Sequence, residues 1–398
     1  MAAPRLLYLN ALFDLELGGF PAGPLKRGAA EMTALFAACG AASDVVLLDV
    51  EVPDEYQDFL ETCGLACPAF LRGTPRCAGR TAVPWGWNTA AVARLRATGA
   101  ACEYPDLETV RAVNSRLFGH ELCSRLGLGV ARAAACDTVA GVERELSSRT
   151  QFPVVIKPAF GNAGYGFLRK QGPCLTKQEY ARVETLIERC GGVTMEPWLA
   201  RIDDISSRAT VGRDGTVSGI AHHRCHANAS GAFFADLLEP EDPVVKPWRD
   251  FLTDAVRRVG GELHRAGYFG PAGFDSFTWR DDAGAVHLAS VIEINARHAM
   301  SSVAYALRER LAPGKACYFR FAGRRRHVVP ARYDEFRERL GGDLFCARMR
   351  TGVLPLTPLR VRHDRAWTRP LRSAFFLAAD TADSLMRMDA RLRSSLGA

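Results

Sequence analysis

The chain has 398 residues, 48% of them hydrophobic and 24% charged. That length exceeds one small core and predicts a globular protein of roughly two to four subdomains. No charged-then-apolar leader opens it and no apolar run nears the ~18 residues of a membrane span, so the expectation is a cytoplasmic protein with no membrane partner. Twelve cysteines are scattered without a CxxC pair, which reads as reduced thiols rather than a disulfide framework. The formal charge of +7 suits acidic small molecules such as nucleotides and carboxylates. Its excess gathers late, in FRFAGRRRHVVPARYDEFRERL and LRVRHDRAWTRPLR, which read as a solvated basic face. No RNP, zinc-finger or helix-turn-helix signature accompanies these runs, so nucleic acid is not the expected partner.

In chain order, RLLYLN and VVLLDV (45–50) read as strands, with one helix over GAAEMTALFAACG stopping at its last glycine. The segment 83–100 adds a helix begun by Asn88 or Thr89, and residues 1–105 form one α/β unit. Trp85 and Trp87, either side of Gly86, read as packing more readily than as a ligand-facing wall. The segment 107–131 divides into two helices near Asn114. A strand, a glycine loop and the helix TKQEYARVETLIERCGG follow, then the strand VTMEPWLA (193–200) running into a turn. SSRATVGRDGTVSGIAHHR reads as a hairpin around RDG. A long helix ended by Gly267 and Gly270 leads to a second hairpin turning at DDAG, and residues 311–398 form a basic tail.

FPVVIKPAFGNAGYGF (152–167) carries the first chemistry. A buried run of Val154, Val155 and Ile156 ends in Lys157, and Gly161, Gly164 and Gly166 follow. Glycines let backbone N–H groups approach phosphate oxygens, and a lysine at the strand end adds a point charge for the α and β phosphates. The order GxxGxG is neither a GxxxxGK[ST] loop nor the GxGxxG of dinucleotide and kinase loops. Alone, the stretch also fits a plain flexible hairpin.

The far end of the chain decides between them. GFDSF puts Asp275 in a strand, and VIEINAR puts Glu293, Asn295 and Arg297 on its hairpin partner at spacings of two, so these three share a face. Two carboxylates and an amide oxygen make a hard-cation site of the kind Mg²⁺ prefers, with substrate phosphates and water completing it. Arg297 beside them suits a γ-phosphate or an acyl phosphate as charge develops.

Together these residues resemble the ATP-grasp superfamily: VVIKP with its glycine loop, MEPWL, GFD and EINAR stand in that family's order across about residues 106–310. The resemblance implies an α/β and α+β chain, with a pre-ATP-grasp α/β domain over 1–105 and a first lobe with the glycine loop over 106–192. A second lobe with hinge and metal site over 193–310 and a small basic C-terminal domain over 311–398 complete it. It further implies ATP and Mg²⁺ as cofactors, with Mn²⁺ able to substitute. Lys157 and Arg116 would bind phosphate, the latter where many members carry lysine. Gly161, Asn162, Ala163, Gly164, Tyr165 and Gly166 would cover the phosphates. Glu196, Pro197, Trp198 and Leu199 would form the hinge against adenine, and Asp204, or its neighbour Asp203, would hold the ribose. Asp275, Glu293 and Asn295 would bind the metal, with Arg297 and Lys157 catalytic.

The family's common reaction activates a carboxylate as an acyl phosphate that an amine then attacks, so the expected partners are a small-molecule acid and amine. The layout resembles amino-acid and peptide ligases of natural-product pathways, and a homodimer is compatible with it. An ATP-grasp phosphotransferase and a noncatalytic nucleotide-binding module are the alternatives. AHHRCHA invites a zinc reading, but in a strand His222, Arg224 and His226 share one face while His223 and Cys225 share the other. Arg208, His223 and Arg224 are instead candidates for substrate contact, beside Arg297. Cys63 and Cys67 read as buried helix-face thiols.

Overall fold

The computed structural model describes residues 3–23, 25–161, 166–227, 233–323, 329–363 and 366–397. The first part of the chain builds a four-stranded parallel sheet in the order Ala69–Arg72, Val45–Leu48, Arg5–Tyr8, Thr81–Pro84. Val45–Leu48 is buried along its whole length, as expected of a central parallel strand covered on both faces. The single helix expected over 28–40 is two pieces, Leu25–Glu31 and a 3-10 turn Thr33–Cys39. The turn ends at Gly40, where a Cβ would lie 2.9 Å from Leu7 and 3.0 Å from Pro68. Asn88 caps the helix Thr89–Arg96, its side chain accepting from the Ala91 N–H at 2.8 Å. Trp85 is buried edge-on to Phe36, and Trp87 lies against Tyr104, so both tryptophans pack.

A second, antiparallel sheet runs Ala134–Cys136, Val193–Pro197, Val154–Pro158, Leu168–Lys170. Its core joins Val154, Ile156, Val193 and Met195 to Val142 and Leu146 of helix Val139–Ser148 and Val183 and Leu186 of helix Lys177–Cys190. Thr176 and Glu179 form a capping box that starts the latter, and Gly191 in the left-handed conformation (φ 81°) ends it.

The third sheet has eight antiparallel strands in the order Val286–Asn295, Gly270–Arg280, Ala200–Val211, Val217–Ala227, Phe233–Leu238, Ala316–Gly323, Arg372–Ala379, Gly352–Pro355. Helix Arg249–Arg265 packs on Ala200–Val211 and Val217–Ala227, and helix Met300–Leu311 on Phe233–Leu238 and Ala316–Gly323. The tail expected as a separate C-terminal domain thus continues the sheet of the second lobe. Its strands Ala316–Gly323 and Arg372–Ala379 are almost wholly buried, with Phe319, Phe375 and Phe376 fully enclosed, and such surface is stable only inside a shared core.

Most described arginines of the basic runs are exposed, as Arg332, Arg337, Arg339, Arg369 and Arg372 are, while a few have specific partners. Arg320 is buried against Asp389. Strands Val361–His363 and Ala366–Thr368 make a small hairpin that docks on the N-terminal domain. Arg360 pairs with Glu55 at 3.1 Å, Arg362 with Glu51 at 3.2 Å and His363 with Glu31 at 2.9 Å.

Candidate active site

Register fixes which side chains meet. Asp275 lies opposite Glu293 on one side and Ser206 on the other, Ser206 lies opposite His223, and Asp204 lies opposite Cys225. Directly opposed residues share a face, so Glu293, Asp275, Ser206 and His223 form one row, with Asp204, Arg208 and Cys225 on the same face. Of the two neighbouring aspartates, Asp204 therefore looks toward the carboxylates and Asp203 away from them.

Both Asp275 oxygens accept hydrogen bonds, one from Ser206 Oγ at 3.1 Å and the other from Asn295 Nδ2 at 3.0 Å. Burial, and then the facing Glu293 carboxylate, push the Asp275 pKa up to about 6. Two acids held together at this cost make a site that a divalent cation relieves. Among the described residues, no three His, Cys, Asp or Glu side chains close a metal cage by themselves. Two carboxylates and an amide therefore form an open donor set, which fits an ion that keeps water and takes substrate oxygens.

Arg297 lies just past the end of the strand and turns back to this group. Its Nη2 donates to Asn295 Oδ1 at 2.9 Å, while Nε and Nη2 fork onto Asp14 at 2.7 Å each. Burial opposes its charge, but Asp14, Glu293 and Asp275 together raise its pKa further. Asp14 escaped the sequence reading. It stands on the short helix Phe13–Leu17 beyond the C-terminal end of the first parallel strand, where α/β sheets bring ligand-facing residues, and that position was the available signal.

The second sheet supplies cations from the other side. Lys157 Nζ meets Glu196 Oε2 at 2.5 Å. Arg116 opens helix Arg116–Arg125 and donates to Pro158 O at 2.9 Å, Gly161 O at 3.4 Å and Glu293 Oε1 at 2.5 Å. It therefore touches both the start of the glycine loop and a carboxylate of the other lobe. The Phe167 ring, also unread in the sequence, lies 5.3 Å from the Arg116 guanidinium and 5.7 Å from Lys157 Nζ. Arg116, Glu196 and Glu293 line one small cavity of about 30 Å³ between the lobes. Arg116 Nε is buried with no acceptor among the described residues, a spare donor that suits a phosphate oxygen. Gly166 adopts φ +87°, a backbone that favours glycine. Asn162, Ala163, Gly164 and Tyr165 lie outside the described residues.

The segment Glu196–Leu199 differs in detail from its expected role. The Glu196 carboxylate is engaged by Lys157, and the Trp198 N–H is spent on Pro153 O at 2.9 Å. Pro197 ends the strand opposite Val154, and the Leu199 carbonyl accepts from the Arg201 N–H. The half-exposed Trp198 ring lies under the Arg169 guanidinium at 4.6 Å.

Three candidates for substrate contact separate. Arg208 is on the carboxylate face, its guanidinium 4.1 Å over Tyr305 and 3.1 Å from Glu309, with Nε buried and lacking an acceptor among the described residues. His223 is on that face but fully buried, bonded to Asp236 at 3.0 Å. Arg224 projects from the opposite face, where Asp242 takes its Nε at 2.7 Å, so that side chain turns away from the carboxylates. Cys225 is no nucleophile: burial and three nearby aspartates hold its thiol far above the ordinary range. Cys63 and Cys67 are likewise buried thiols, their pKa values pushed up to about 11 and 12 by burial.

No protein-family model and no curated protein matches this sequence. Solved structures do match. The biotin carboxylase domain of Hydrogenobacter thermophilus 2-oxoglutarate carboxylase, in complex with MgADP, ADP and bicarbonate, superimposes with a TM-score of 0.58 at 12% identity, over 99% of this chain and 90% of that one. N5-carboxyaminoimidazole ribonucleotide synthetase from Thermus thermophilus gives 0.56 at 14% identity, over 99% of both chains. The Staphylococcus aureus N5-carboxyaminoimidazole synthetase complexed with ADP gives 0.53 at 12%, over 98% and 97%. The chain has the ATP-grasp fold along nearly its whole length.

Proposed function

We propose that this protein is a Mg-ATP-dependent ligase joining a carboxylic acid to an amine, with an amino acid or small peptide of specialised metabolism as its substrate. The observation that carries the reading is the Arg116–Glu293 contact, which sets a phosphate-suited cation of one lobe against a metal-suited carboxylate of the other. That two of the similar structures hold ADP, in one case with magnesium and bicarbonate, supports it.

In this reading Lys157 and Arg116 exchange Glu196 and Glu293 for phosphate oxygens. Asp275, Glu293 and Asn295 would hold Mg²⁺, which would supply positive charge to offset that of the phosphates. Asp204 is the acid suited to the ribose hydroxyls, and the segment Glu196–Leu199 faces adenine. Arg208 and Arg297 orient the substrate carboxylate. One carboxylate oxygen attacks the γ-phosphorus, the bond to the bridging oxygen breaks, and ADP leaves with an acyl phosphate formed. The amine nitrogen then attacks the acyl carbon, phosphate departs, and the nitrogen loses a proton. The chain needs no nucleophile of its own for this; positioning and fixed charge lower the barrier.

The test is a screen of paired acids and amines for ADP release, with hydroxylamine as a trap for the activated acid. ADP formation that needs both partners, and a hydroxamate in the trap, are the expected results. AMP as product would exclude the reading. A stable phosphorylated acceptor formed without amine would make the protein a phosphotransferase.

A further inference from the structure

A cavity of about 460 Å³ lies outside the cleft. It lies on the back of the eight-stranded sheet, lined by residues 217–222 and by Arg249, Thr253 and Arg257. The strand Val217–Ala227 pairs with Phe233–Leu238 only from Arg224 to Ala227, so residues 217–221 have a strand neighbour on one side alone. Their register is broken by a bulge between Ser218 and Ala221, where Gly219 adopts φ +62°. The other wall is helix Arg249–Arg265. Positions 249, 253 and 257 are spaced by four and form one stripe along it, with the two arginines about 12 Å apart along the axis.

Charge distinguishes these arginines from their neighbours. Arg258, on the same helix but outside the cavity, has Asp254 at 3.6 Å and donates to Leu126 O at 2.6 Å. Arg257 has no partner among the described residues. Arg249 has Glu241 only at 3.5 Å and otherwise donates to Pro240 O. No lining residue is acidic. His222 sits between Ser207 at 2.7 Å and Thr253 at 2.9 Å, and burial lowers its pKa to about 4, so it contributes hydrogen bonding rather than charge. Two guanidiniums with spare donors, two turns of helix apart, leave a single small anion one charge short, whereas an anion with several charged groups reaches both. The volume suits a small metabolite.

We propose that this cavity binds a small multivalent oxyanion, a phosphate ester or a polycarboxylate, at a site separate from the cleft. The proposal does not depend on the ligase reading. Calorimetric titration of the full chain with inorganic pyrophosphate, and separately with citrate, tests it. At least one anion should bind, with affinity falling roughly tenfold or more in Arg257→Ala and in Arg249→Ala. Binding should persist in Lys157→Ala, which alters the cleft, and in Arg258→Ala, which alters only nearby surface charge. Response to pyrophosphate alone identifies a phosphate ligand, and response to citrate alone a carboxylate. The proposal fails if neither anion binds, if affinity is unchanged in Arg257→Ala, or if Arg258→Ala weakens it as much.

Discussion

Ion pairs join distant parts of this chain in two regions of opposite character. At the hairpin of Val361–His363 and Ala366–Thr368 and the adjoining Arg360, each contact sets a basic side chain against one acid: Arg360 on Glu55, Arg362 on Glu51, His363 on Glu31. In the cleft, two acids face each other, and burial, with the facing Glu293 carboxylate second, pushes the Asp275 pKa up to about 6. The hairpin contacts lower the energy of the folded chain as they stand. The cleft holds like charges together at a cost, which a bound cation removes. Crowded like charge marks the place where chemistry is expected; complementary charge marks a joint.

The sharpest way to break that comparison is Glu293→Gln, which keeps shape but removes one of the opposed charges. Turnover should fall by about 10²–10³, the usual effect of losing one preorganised electrostatic partner. Its thermal midpoint should stay close to that of the parent, because relief of the repulsion toward Asp275 is offset by loss of the Arg116 ion pair. A variant that keeps normal magnesium-dependent ADP release would show the carboxylate pair to be structural.

Acid should act on buried histidines rather than on the hairpin. His222 and His298 both have pKa values lowered by burial to about 4. The unfolded chain binds protons there near pH 6.5, so stability is full above that value and is lost as pH falls toward 4. Between pH 7 and pH 5 each should cost on the order of 2 kcal/mol, read as a falling melting temperature. His298 packs on Phe36 at 5.2 Å and Trp85 at 6.0 Å, so His298→Phe should keep the packing and flatten part of the slope. A slope unchanged by that substitution would place the acid sensitivity elsewhere.

Lys157→Ala should weaken ATP binding by roughly 1.5–3 kcal/mol, the value of a charge-assisted hydrogen bond. Calorimetry on both proteins measures it, and an unaltered dissociation constant would remove Lys157 from the nucleotide site. The smallest effect belongs to the joint. The coupling between Arg362 and Glu51, both partly exposed, should be about 0.2–1 kcal/mol in a double-mutant cycle, with ADP release untouched. A turnover defect in Arg362→Ala would mean that the docked hairpin does more than hold two parts together.

What could be read from sequence was what is local. The period of two in EINAR put Glu293 and Asn295 on one face, TKQEYARVETLIERCGG announced a helix, and Asn88 or Thr89 announced a helix start. What could not be read depends on register and on distant partners. Asp14 meets Arg297 across 283 positions. Arg224 points away from the cleft because the pairing of Val217–Ala227 with Ala200–Val211 fixes its parity, and that pairing contains a bulge. The partners of Arg360 and Arg362 could not be read because Glu55 and Glu51 lie some 300 positions earlier.

The strand order of the eight-stranded sheet also constrains how the protein can be made. Arg372–Ala379 lies between Ala316–Gly323 and Gly352–Pro355, so this interior strand is synthesised after both of its neighbours. The buried Tyr56 hydroxyl, from the first domain, donates to Leu356 O at 2.6 Å and waits for the same segment. A ribosome extending the chain at about 5–20 residues per second therefore leaves Phe233–Leu238 open until Ala316–Gly323 emerges, and Ala316–Gly323 open until Arg372–Ala379 does, several seconds in each case. Exposed strand edges pair with other chains. Slowing translation after residue 311 should lower soluble yield without changing the folded protein that survives.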